Sequence, residues 1–162
     1  MARAYSVKGG VSGKIPGLLG PAELDGRLEW MPLRPPRDLV EALAARLGSE
    51  PDHDRVLLGV LAPLRPALEG EPLGALLAGL PPYLARELAD AELNLNEAVA
   101  TPADAGAYLV EVAHLVLHPP RRAAEYVRAV FAAAKAVLAP PDAQAIAARL
   151  PPEIADLWRA AR

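Results

Sequence analysis

Residues 39–88 read LVEALAARLGSEPDHDRVLLGVLAPLRPALEGEPLGALLAGLPPYLAREL, and residues 109–158 read LVEVAHLVLHPPRRAAEYVRAVFAAAKAVLAPPDAQAIAARLPPEIADLW. Laid on one another without a gap, the two stretches share 13 identities in 50 positions, among them Leu39/Leu109, Val40/Val110, Glu41/Glu111 and Leu47/Leu117. Leu80-Pro81-Pro82 falls on Leu150-Pro151-Pro152 at the same 70-residue offset. An Ala/Leu-rich chain matches itself by accident, but an ungapped Leu-Pro-Pro is harder to obtain by chance. The pattern predicts two copies of one supersecondary unit.

Each copy reads as four short helices. In the second, the first helix is expected over about 102–117, with Thr101 and Pro102 as cap and first-turn residue. Pro119-Pro120 opens the next, which should run to about Ala139 with Val127, Val130, Phe131, Ala134 and Leu138 on one face. Pro140-Pro141-Asp142 and Pro151-Pro152 open the third and fourth. Leu80 and Leu150 precede proline, which favours an extended bend with the leucine turned inward. The first copy carries Gly59, Pro63 and Pro66 where the second has Ala129, Ala133 and Ala136. An interior proline costs a helix about 3 kcal/mol, so the helix near residues 53–68 should be bent or broken.

Composition supports the helical reading. The 162 residues include 34 Ala and 27 Leu, against 16 Val, Ile and Thr together. The expected fold is all-α: two tandem four-helix repeats, 38–93 and 107–162, packed as one domain about a pseudo-twofold axis. A linker at 94–106 joins them, and an extended Gly/Pro-rich arm at 1–37 precedes them. The arm holds 6 of the 12 glycines and shows no helical period; Asp25-Gly26 fits a hairpin turn. Its net charge is +3, against −8 for 38–106 and +2 for 107–162. Charge would favour docking of the arm beside an acidic first repeat, in cis or between subunits.

The same residues carry a resemblance. Leu39-Val40-Glu41 to Leu47, Val60-Leu61-Ala62-Pro63-Leu64-Arg65 and the Leu-Pro-Pro element resemble a bacterial family of uncharacterised proteins, domain of unknown function 2267. The resemblance covers roughly 38–162. The family's aromatic cluster is reduced here to Trp158, with Leu88 at the matching position. It implies the helical fold and brings no reaction with it.

The chemistry on offer is thin. The chain has no cysteine, three Ser, one Thr and three His, which removes thiolate catalysis and Cys-ligated zinc. No signal peptide or membrane span is read, since the longest uncharged run, Pro72 to Ala85, contains three prolines. A cytoplasmic setting is expected. Gly9-Gly10-Val11-Ser12-Gly13-Lys14 departs from a phosphate loop, with Lys8 at the first glycine position and Ile15 after Lys14. Glu111, His114 and His118 share a helix face at i, i+3 and i+7 and form the one metal candidate, although exposed flank residues commonly show that spacing. No cofactor and no catalytic residue is assigned. Arg121, Arg122, Arg128 and Lys135 form a basic stripe that offers an alternative, a regulator binding nucleic acid or another anion; the net charge of −3 disfavours nucleic acid. The main expectation is a non-enzymatic structural or interaction subunit. Leu18, Leu19, Trp30 and Met31, apolar residues in a segment too irregular to bury them, would anchor the arm on a partner protein or on another copy.

Overall fold

Three aspartates open three of the helices. Asp38 Oδ1 accepts the Glu41 N–H at 2.9 Å ahead of α1 (Leu39–Leu47), and Asp52 Oδ1 accepts the Arg55 N–H at 3.2 Å ahead of α2 (His53–Leu61). After α2 come a 3-10 turn (Ala62–Leu64), α3 (Arg65–Leu68), α4 (Glu71–Ala78) and α5 (Pro82–Asp90). Asp104 Oδ1 then accepts the Ala107 N–H at 2.7 Å ahead of α6 (Ala105–Val116). The chain closes with α7 (Pro120–Val137), α8 (Pro140–Arg149) and α9 (Pro152–Ala160), each starting on a proline, which has no N–H to leave unpaired in a first turn. The computed structural model describes residues 37–49, 51–90 and 100–162, which lie within one unit, Pro35–Arg162. Every element among the described residues is helical, so this part of the protein is all-α.

The prolines act as the sequence predicts. Pro63 and Pro66 remove the N–H groups that the Gly59 and Ala62 carbonyls would accept in a continuous helix. The chain ends α2 at Leu61, passes through the 3-10 turn and restarts at Arg65, while α7 runs unbroken for 18 residues with Ala133 and Ala136 at the matching positions. Leu80 and Leu150 are both buried at their bends.

Helix α7 is the centre of the core. It lies against α1, α2, α6, α8 and α9, and buries Ala123, Tyr126, Val127, Val130, Phe131, Ala132, Ala133 and Ala134. The three successive alanines leave room for helices on several sides at once. Phe131 sits between Tyr108, stacked at 6.3 Å, and Trp158, tilted at 5.2 Å. Besides the α1–α7 contact, α2 lies on α6 and α4 on α8. The α2–α6 crossing is close because of Gly59, where a Cβ would stand 2.6 Å from Val116 Cγ1. Glycine at this position serves helix contact, a role beyond the helix-weakening one read from sequence.

The start of α6 differs from expectation. Asp104 caps the helix, and Thr101 lies outside it, its Oγ1 accepting the Ala67 N–H at 3.2 Å and so tying the loop to α3. The end of α6 is unusual too. Helix α1 stops at Gly48 in a positive-φ conformation that costs glycine little, whereas α6 stops at Leu117 with φ 60° and ψ 40°. A left-handed leucine costs about 1–2 kcal/mol.

Candidate functional site

Helices α2, α5 and α6 bound a groove of about 370 Å3. Leu58, Gly59, Ala62 and Leu115 are its apolar lining, and Asp52, Asp54, Glu87 and Arg55 its charged one. Arg55 stands 4.0 Å from Asp52, so the lining as a whole stays acidic. Tyr83 extends the rim: its hydroxyl donates to Asp54, with Oδ2 at 3.1 Å. Partial burial, and then the Asp54 carboxylate, raise the Tyr83 phenol above its ordinary value.

Four large apolar side chains are exposed among the described residues: Tyr83 (57%), Val110 (61%), Leu115 (41%) and Leu117 (71%). Leu115 lines the groove and Tyr83 bonds its rim, while Val110 and Leu117 belong to the same helix as Leu115 or its end. Their matches by the 70-residue offset, Val40 and Leu47, are half-buried against the core. The same two residue types are therefore covered in one place and open in the other. Composition gave no sign of this, because an apolar residue on a helix reads as core by default.

The basic stripe divides. Arg121 and Arg128 are exposed. Arg122 is engaged locally: its Nη1 meets Glu125 Oε1 at 3.3 Å and its guanidinium lies 5.4 Å from the centre of the Tyr126 ring. Its hydrogen bond to Tyr126 is the first cause of an upward shift, with Glu125 adding to it. Lys135 leaves the stripe: its Nζ donates to Trp158 O at 2.7 Å and Arg159 O at 3.3 Å, closing the C-terminal end of α9. Desolvation, and then Arg162, push its pKa down. Lys135 also borders a shallow second recess of about 400 Å3 with Ala143, Ala147 and Trp158.

The metal candidate does not assemble. Helix α6 ends at Val116, so the left-handed Leu117 takes His118 off the helical face. The His118 ring meets Tyr126 edge-on at 5.4 Å, while Glu111 and His114 stay on α6. Among the described residues no three His, Asp or Glu are grouped to hold a metal ion. No helix among them is long and apolar enough to cross a membrane. The expected arm anchors Leu18, Leu19, Trp30 and Met31, and the Asp25-Gly26 turn, lie outside the described residues.

A family model described as uncharacterized conserved protein (DUF2267) matches residues 37–157. The chain belongs to that family. No curated protein and no solved structure matches this chain.

Proposed function

We propose that this chain is a non-enzymatic interaction subunit whose N-terminal arm, residues 1–37, docks on a partner protein or on another subunit. The observation that carries the reading is the set Leu18, Leu19, Trp30 and Met31, set among glycines and prolines in a segment of net charge +3. Leaving such side chains in water forgoes about 1.5–3 kcal/mol each, and a segment without apolar periodicity has no face of its own to cover them. The helical body is proposed to be a tandem repeat about a pseudo-twofold axis. Support comes from the reciprocal contacts α1–α7 and α2–α6, the contact of α4 with α8, and the bounds of α5 and α9, which differ by 70 residues at both ends.

The test is made on the full chain. Leu18, Leu19 and Trp30 are changed to serine together, and binding partners retained on the purified protein are compared with those of the unchanged chain. Loss of one defined partner, with the helical circular dichroism intact, is the expected result. An unchanged partner set would remove the arm reading.

A further inference from the structure

We infer that the groove between α2, α5 and α6 receives a second copy of this chain, whose Leu117 enters it with Arg121 facing the acidic rim. Three independent features of the same corner lead there. Leu117 is 71% exposed and holds a left-handed backbone conformation, so two unfavourable choices coincide in one residue. Helix α1 by contrast stops at a glycine, Gly48, whose positive φ costs little. Both choices are offset together when the leucine is buried against another surface. Next, Asp52, Asp54 and Glu87 line a recess together with Leu58, Ala62 and Leu115; its one basic residue, Arg55, is placed against Asp52, so the remaining charge suits an apolar side chain flanked by positive charge. Leu117 is such a side chain: Arg121 and Arg122 follow four and five residues later, in the first turn of α7, where no acidic residue stands.

The third feature is that knob and groove adjoin. Leu115 lines the groove and Leu117 is the knob, two residues apart. A twofold dimer needs this arrangement, because each copy must offer the knob and receive the other's at one interface. Closure is then complete with two copies, and the exposed Tyr83, bonded to Asp54, stands at the rim of the same groove. None of these residues belongs to the arm, and the inference does not depend on the arm reading.

Sedimentation equilibrium of the full chain decides it. The unchanged protein is expected to form a dimer, and Leu117→Asn, which accepts the left-handed conformation, should raise the dissociation constant at least about tenfold. Arg121→Glu and Glu87→Arg should each weaken the dimer similarly, and the two changes in one chain should return it to within about threefold of the original. Thermal unfolding of dilute Leu117→Asn at or above the unchanged midpoint separates lost association from lost fold. Leu18→Ser with Trp30→Ser should leave this dimer intact. A monomer at all concentrations up to about 1 mM overturns the inference. So does a dimer indifferent to Leu117→Asn, or one that depends on Leu18 and Trp30 alone, which would instead favour the arm.

Discussion

The buried hydroxyl of Tyr108 on α6 donates to the backbone carbonyl of Val60 on α2 at 2.7 Å. Val60 lies at the end of α2, just before the chain tightens from α-helix into the 3-10 turn and its hydrogen-bond ladder changes register. A carbonyl in that position must find a partner or stay unpaired in the core. Tyr108, stacked on Phe131 and fully buried, supplies it from the neighbouring helix. The break in α2 and the aromatic core are thus joined by one hydrogen bond.

Tyr108→Phe keeps the ring and its stacking but removes the donor. Leaving the Val60 carbonyl unpaired should cost about 1–3 kcal/mol of stability. Urea unfolding followed by circular dichroism reads this as a lower midpoint at unchanged slope. A loss below a few tenths of a kcal/mol would mean that water reaches the carbonyl.

The same residue predicts alkaline sensitivity. Burial raises the Tyr108 phenol well above its ordinary value of 10.0. Above that pH the unfolded chain releases this proton while the folded one retains it, so the folded state binds more protons and stability falls as pH rises. Below pH 10 the contribution is fully present. Unfolding free energy measured from pH 8 to pH 11 should drop in the unchanged protein more steeply than in Tyr108→Phe.

Gly59→Ala sets helix propensity against contact. Alanine favours the helix by about 1 kcal/mol, but its Cβ would stand 2.6 Å from Val116 Cγ1. Either the Val116 side chain must leave its rotamer or the two helices must part, and overpacking of this kind costs about 1–3 kcal/mol. The variant should be less stable than the parent, and Val116→Ala in the same chain should recover part of the loss. A stabilised single variant would show that the α2–α6 crossing yields freely.

The cap of α6 separates two candidates. Asp104→Ala should cost about 0.5–2 kcal/mol, the usual cost of an N-cap. Thr101→Ala removes only a tie to the Ala67 N–H, at 3.2 Å, and should cost less. Thermal midpoints of the two variants give the order, and the reverse order would return the cap to Thr101.

Lys135→Gln shortens the donor that closes α9. Loss of the bonds to Trp158 O and Arg159 O should cost about 0.5–1.5 kcal/mol and quicken amide exchange over residues 152–160. Polyanion binding, if the chain has any, should be unchanged, because the side chain is directed to α9. A drop in such binding without a stability change would restore Lys135 to the basic stripe.

Most of the local architecture was legible in the residues. Helix starts at Pro120, Pro140 and Pro152, the inward Leu80 and Leu150, and the break at Pro63 follow from the residue itself or its immediate neighbours, since a missing N–H or a restricted φ acts within one turn. The 3.6-residue period likewise brought Val127, Val130, Phe131 and Ala134 to the core. What lies between helices was not legible. Gly59 reads as a weak helix residue until Val116 stands against it. Lys135 reads as one more cation until the end of α9 offers two carbonyls. His118 reads as a helix-face ligand, and Leu117 as the end of its helix, until Leu117 turns left-handed and stands in solvent. Each outcome depends on a partner distant in sequence, or on which face of a helix other helices cover, and local pattern carries neither. The sequence by itself determined most helix starts, the helix order and the interruption at Pro63 and Pro66. The tertiary structure alone decided the close crossing, the carbonyl partners and the exposed corner of α6, because those arise from the distances between elements.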